Sequence, residues 1–168
     1  MLLTIISILG FSTTVNAATL GVKWNSVPIT IYATNQLSNN EILNLQSAIA
    51  EWNSIGKGTL IKYGGIKSGI SNPRVDGINT VGKFSMPSND VARTNSQILN
   101  NVTIIESDIT LNTNKISGKN LKSIFMHELG HALGLADNTY SISSIMYASY
   151  TGNTTISQYD INDINSLY

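Results

Sequence analysis

Cysteine is absent from the 168-residue chain. That excludes disulfides, thiol catalysis, thiolate metal sites and any thiol-based latency device. Histidine is nearly absent: there are two, so any imidazole chemistry falls on that pair. Charge is sparse as well. Ten Lys and Arg balance ten Asp and Glu, charged residues make up 12% of the chain, and the net charge is zero. No basic stripe is present, which argues against a nucleic-acid partner, and no polybasic or amphipathic stretch argues for a membrane surface. No apolar run reaches the roughly 20 residues needed to span a bilayer. Apolar residues, at 42%, suffice for one buried core, and neither a repeat nor a linker divides the chain.

Absence of cysteine says nothing firm about compartment; the N-terminus says more. Met1 to Ala17 read MLLTIISILGFSTTVNA, an apolar run from Leu2 to Leu9 followed by small residues ending in Val15-Asn16-Ala17. This has the form of a secretory signal peptide, although no Lys or Arg precedes the run; a buried N-terminal strand is the alternative. The expected organisation is a signal peptide over residues 1–17 and a secreted domain over residues 18–168, free of the membrane once the signal is removed and monomeric.

Within that domain, Pro28 to Tyr32 is β-branched and reads as a strand. Ser38-Asn39-Asn40-Glu41 forms a capping box, and Ile42, Leu45, Ile49 and Trp52 follow at helical spacing, so a helix starts there and buries one stripe in the core. Gly56-Lys57-Gly58 stops it. Thr59 to Tyr63 reads as a second strand closed by Gly64-Gly65, and residues 66–76 as a loop. Further strands are expected at Ile78 to Met86, Val91 to Thr94 (short, at an edge) and Val102 to Asn112. A second helix runs from near Asn120 to Leu133, with Gly134 in the left-handed conformation that ends helices. Ser157-Gln158-Tyr159-Asp160 caps a C-terminal helix with Ile161, Ile164 and Leu167 on one face. Strands and helices mix without strict alternation, which predicts an α+β fold with a mixed sheet.

Both histidines sit in the second helix, in His127-Glu128-Leu129-Gly130-His131-Ala132-Leu133-Gly134-Leu135-Ala136-Asp137. A spacing of four puts His127 and His131 on one face, one turn apart, where they can grip one metal ion. Glu128 follows the first of them, so its carboxylate can reach a metal-bound water without ligating. A catalytic zinc site needs a third protein ligand and an open fourth position. Gly134 lets the chain turn back, and Asp137 then comes within reach; carboxylate oxygen is an accepted zinc donor. Packing of two core histidines is the plainer alternative, set against the glutamate in the right place and the helical context that the pattern demands.

At these residues the chain resembles the metzincin clan of zinc metalloproteases, whose signature is H-E-x-x-H-x-x-G-x-x-H followed by a methionine turn. His127, Glu128, His131 and Gly134 match it, Asp137 stands where the third histidine does, as in the snapalysin group, and Ser144-Ile145-Met146-Tyr147 matches the turn. Tyr147 and Tyr150, in Met146-Tyr-Ala-Ser-Tyr150, look like the matrixin wall of the substrate pocket. Ala48 to Asn53, Ala92-Arg93-Thr94, Asp108 to Asn112 and Asp160 to Tyr168 are also matrixin-like, so the resemblance extends from about Ile29 to Tyr168. It implies a five-stranded twisted mixed sheet with an active-site helix, a backing helix and a C-terminal helix. It also implies one catalytic zinc on His127, His131 and Asp137, Glu128 as general base, Met146 beneath the metal, and peptide or protein substrates bound as an added strand along Val91 to Thr94. With two histidines, the structural zinc common in matrixins cannot exist in its usual form, and Ala148 stands where astacins and serralysins have a ligating tyrosine.

Calcium is a further expectation: Asn72 to Gly77 and Asp90 offer oxygen ligands, with plain turn chemistry of Asn, Asp and Gly as the alternative. Two rival functions stand beside the protease: a secreted zinc-binding module on the same fold without activity, and a metal-free binding domain.

Overall fold

A computed structural model of the chain describes residues 19–69 and 75–168. The expected signal peptide and the expected calcium-ligand segment Asn72 to Arg74 lie outside the described residues. Eight elements follow in order: β1 (Ile29–Thr34), α1 (Asn39–Asn53), β2 (Ile61–Lys67), β3 (Asn79–Phe84), β4 (Ala92–Leu99), β5 (Thr103–Asn112), α2 (Leu121–Ala132) and α3 (Gln158–Leu167). The strands form one five-stranded sheet in the order β2-β1-β3-β5-β4. The first four run parallel, and β4 pairs antiparallel with β5 at the edge. The fold is therefore α+β with a mixed sheet, as expected.

The backing helix α1 forms where its capping box predicts. The Ser38 hydroxyl accepts from the Glu41 amide, and the Glu41 carboxylate accepts from the Ser38 amide at 2.7 Å. Its stripe of Ile42, Leu45, Ile49 and Trp52 is buried, joining Ile31, Ala33, Val81, Ile109 and Leu111 from the sheet and Phe125, Met126 and Leu129 from α2 in one core. Trp52 locks α1 to α2 by donating its indole N–H to the Met126 carbonyl at 2.9 Å. Among the described residues, no helix is long and apolar enough to cross a membrane.

Most strand ends shift by one or two residues from the sequence reading, β3 ending at Phe84 and not Met86, and two shift further. β2 does not stop at Gly64-Gly65 but continues to Lys67. Gly65 takes φ +92° and the β1–β2 register shifts there, so the glycines form a bulge inside the strand. Gly64 is needed for a second reason: the Tyr32 ring lies where its side chain would start. β4 runs on to Leu99, well past Thr94. Asn100 and Asn101 both take positive φ and close a tight hairpin, so β4 and β5 pair along their full length. The Asn-Asn dipeptide carried that signal.

Glu41 also accepts from Lys83 at 2.9 Å, tying α1 to β3. Burial acts to raise its pKa, but the Ser38 amide, the Lys83 ammonium and the Ser38 hydroxyl together hold it below the ordinary value of 4.5. A depressed folded-state pKa contributes stability above the unfolded value, lost as pH falls through the folded one. Glu41→Gln is expected to lower stability by about 1 kcal/mol at neutral pH. In urea titrations, the difference from the native chain should shrink as pH drops below 4.5.

Candidate active site

Helix α2 is anchored at both ends. Asn120 caps its start, its side-chain oxygen accepting from the Ser123 amide at 3.2 Å. At its end, carbonyls that lack helical partners are taken up by side chains. Trp24 donates its indole N–H to Ala132 at 2.7 Å and Tyr168 its hydroxyl to Leu133 at 2.8 Å. The chain then leaves through Gly134 at φ +99°, where an added Cβ would lie 2.4 Å from the Val22 carbonyl oxygen. Only glycine fits that approach. The turn returns Asp137 to the histidine face.

His127 Nε2, His131 Nε2 and Asp137 Oδ1 converge. The two nitrogens lie 3.0 Å apart, and the carboxylate oxygen is 3.2 Å from His127 and 3.5 Å from His131. Each imidazole is held from behind: His127 Nδ1 lies 2.8 Å from the Ile145 carbonyl and His131 Nδ1 2.9 Å from the Leu135 carbonyl. A carbonyl only accepts, so both Nδ1 atoms carry the proton and both Nε2 lone pairs face the carboxylate. Three acceptors at that range repel one another unless a cation lies between them. Where a proton rather than a metal takes that place, burial works against a charged His131, but its hydrogen bond to Asp137, the charge of Glu128 and the Leu135 carbonyl outweigh burial and raise its pKa. In that protonated state, hydrogen bonds from His127 and His131 hold Asp137 well below the usual carboxylate range. Ligand atoms of a tetrahedral zinc site with bonds of about 2.0–2.2 Å lie roughly 3.3–3.6 Å apart; the 3.5 Å pair falls in that range, and the 3.0 and 3.2 Å pairs reach it by opening a few tenths of an ångström. Donor types, lone-pair directions and spacing all fit the metal that the sequence implies.

Met146 is fully buried under this cluster. Its sulfur lies where a Cβ on Gly130 would be, only 2.2 Å from that position, with Trp52 beyond. The Gly130 between the two histidines is thus the notch that receives the methionine turn. The turn itself hangs on Asp160, which is wholly buried. Asp160 accepts from the Ser144 hydroxyl, from the Ile145 amide at 3.1 Å and, in α3's capping box, from the Ser157 amide at 2.8 Å. Ile145 in turn supplies the carbonyl that orients His127. Asn138 ties the turn to the segment after Asp137: its amide donates to Met146 O at 2.8 Å and its side chain to Ser144 Oγ at 2.6 Å.

A cleft of about 510 Å³ opens in front of the cluster. Val91 to Thr94 of the edge strand line one side, Tyr147 to Thr151 the other, and Ser123, Ile124, His127, Glu128, His131 and Asp137 the floor. Tyr147 and Tyr150 both line this cleft. Tyr150 is braced across it, its hydroxyl accepting from the Asn120 amide at 2.7 Å with Lys119 4.4 Å above its ring. Asp76 and Asp90 are engaged otherwise: Asp76 accepts from the Ile78 amide at 3.0 Å in a local turn, and Asp90 is paired with Arg93. Sequence reading missed two residues here. The sequence marks Asp160 as a helix cap and Thr94 as part of the edge strand, but links neither to the cluster; the Thr94 hydroxyl meets the Glu128 carboxylate at 2.6 Å.

Asp160→Asn keeps the size but trades one acceptor oxygen for a donor facing other donors. We expect a loss of about 2–4 kcal/mol, because buried hydrogen bonds to a charge are broken and donors are stranded. Thermal unfolding measures this; an unchanged Tm would mean that the turn does not hang on Asp160.

Residues 74–168, more than half of the chain, match the family model for peptidase M10, matrixin. Interstitial collagenase of Bos taurus is 43% identical over 58 residues, 33% of this chain and 12% of that protein. The Sus scrofa collagenase is 45% identical over 51 residues, 29% and 11% of the two chains. The matched stretch is thus about an eighth of the collagenase's length. A solved structure of high choriolytic enzyme 1, a hatching enzyme zinc-protease from Oryzias latipes, superposes with a TM-score of 0.50 at 16% identity, covering 85% of this chain and 92% of that one. At that identity the likeness is one of fold.

Proposed function

Because the chain belongs to the matrixin family, we propose that it is a secreted, zinc-dependent endopeptidase whose catalytic domain spans residues 18–168. One observation carries the reading: His127, His131 and Asp137 present three lone pairs to one point beside Glu128, on the floor of a cleft bordered by a sheet edge that no strand among the described residues pairs.

When bound by these three side chains, zinc supplies Lewis acidity toward a peptide carbonyl and lowers the pKa of a water. The protein does the rest. The outer edge of β4 offers backbone groups to an extended peptide, which adds as a further strand and is cut at one bond along its length. Tyr147 and Tyr150 wall the space for a side chain of that peptide. Glu128, on the helix turn that carries His127, accepts the water's proton at a carboxylate oxygen as the water oxygen bonds to the carbonyl carbon. It then delivers that proton to the amine nitrogen as the C–N bond breaks. Met146 sits below the imidazoles and keeps solvent from under them.

Asp137 is the least enclosed of the three, with 52% of its side chain exposed against 23% and 19% for the histidines. Removing it should leave the helix standing. In protein from Ala18 onward, we expect about one zinc per chain. Glu128→Ala should retain that zinc and lose about 10²–10⁴-fold in casein hydrolysis. Asp137→Ala should weaken zinc at least by the roughly 10–100-fold that loss of an outer-shell partner costs. Zinc without hydrolysis in the native protein would favour the binding module; no zinc would remove both readings.

The apolar run from Leu2 to Leu9 and the small residues at Val15-Asn16-Ala17 support export. Expressed whole in a secreting host, the chain should appear in the medium with Ala18 as its first residue by N-terminal sequencing; retention in cells with Met1 intact would count against export.

A further inference from the structure

Thr94 stands on the edge strand with its side chain turned inward. Along β4, Ala92, Thr94 and Ser96 are half-buried while Arg93 and Asn95 between them are exposed. The backbone of Thr94 is fixed by its pairing with Ile109 of β5, which is itself buried. Its β-branched side chain has few rotamers in a strand, so the hydroxyl has a set direction. That direction is toward Glu128: Thr94 Oγ1 lies 2.6 Å from Glu128 Oε2 and 3.0 Å from the Glu128 carbonyl. A hydroxyl has one proton to give, and an ionised carboxylate only accepts. The shorter, charge-assisted contact takes the proton.

We propose that Thr94 is a positioning residue that assigns the two oxygens of Glu128 different tasks. The inference rests on Glu128 being the proton acceptor. Oε2, occupied by the Thr94 hydroxyl, stays an acceptor throughout. The migrating proton is therefore carried on Oε1, taken there from water and given from there to the leaving amine nitrogen, so no proton is gained or lost over the cycle. Thr94 also belongs to the strand against which the peptide lies. The same residue thus sets the plane of the carboxylate and the position of the substrate backbone, and holds the two in register. Neither composition nor motif spacing contains this relation, because it joins residues 34 positions apart.

Thr94→Val keeps the shape and the β-branch and deletes the donor, and Thr94→Ser keeps the donor. Both are read beside Glu128→Ala, by bound zinc, by kcat and KM on a peptide substrate, and by crystal structures of the metal-free proteins. Thr94→Val should bind zinc normally and lose about 10–100-fold in kcat at unchanged KM, the scale of one hydrogen bond to a charge. Its Glu128 carboxylate should occupy more than one orientation. Thr94→Ser should restore both kcat and the single orientation. Thr94→Ala serves as the second deletion should the valine methyl crowd the carboxylate. Native kcat in Thr94→Val with Glu128→Ala inactive would overturn the role of Thr94 alone. So would a rise in KM without loss of kcat, or a Glu128 that stays ordered in Thr94→Val. Turnover surviving in Glu128→Ala would instead remove the proton-acceptor reading, and the inference with it.

Discussion

Three lone pairs aimed at one point are an unstable arrangement by themselves, and the surrounding structure is organised to impose it. His127 and His131 are turned by carbonyls behind them, Ile145 and Leu135. Neither carbonyl belongs to a helix: one comes from the methionine turn, the other from the turn that follows Gly134. The direction of each imidazole is therefore only as firm as a loop. Asp160 fixes the first loop from within the core, and the antiparallel bridge of Leu135 with Thr19, with the close approach of Gly134 to Val22, fixes the second. Fold and site meet in backbone hydrogen bonds of irregular segments, which is where ligand orientation is usually set.

Much of the fold was legible because it rests on local rules. Capping boxes at Ser38 and Ser157, the stripe from Ile42 to Trp52, and Gly134 each act within a few residues, and each forms as its local chemistry dictates. The strand ends were less legible. At Gly64-Gly65 a pair of glycines signals either a stop or a bulge, and the choice is made by Tyr32 on the neighbouring strand. At Asn100-Asn101 the turn was written in the sequence, but two residues able to take positive φ do not say how far the flanking strands will pair.

The site divides along the same line. Histidines four apart on a helix, followed by a glycine and an aspartate, are related by short-range geometry, and the structure brings those side chains together as a group that could hold a metal ion. Asp160 and Thr94 could not be found that way. Asp160 reads as an ordinary cap because capping uses one carboxylate oxygen; the other reaches the methionine turn at Ser144, sixteen positions back. Thr94 reads as an ordinary strand residue. Their partners are chosen by the packing of α3 against the turn and of β4 against α2, and packing is what periodicity does not carry.

The aspartate at the end of the motif now has a physical setting. A histidine ligand brings a second nitrogen that can be anchored from behind, as both imidazoles are here. Asp137 has no such rear anchor to a carbonyl, since carboxylate oxygens only accept, and its side chain is half in solvent. Its contribution is charge and reach, placed by the glycine turn and by Asn138, whose amide and carbonyl pair with Met146 and Ala148 immediately after it. The cluster is thus asymmetric: two imidazoles anchored from behind orient, and one exposed carboxylate closes. In such a set, geometry is held by the imidazoles, while the carboxylate offsets part of the cation's charge and can shift without disturbing them. Glu128 stands beside the three side chains, its carboxylate held by Thr94 of the edge strand, so that in the proposed reading the proton acceptor and the peptide take their positions from one strand.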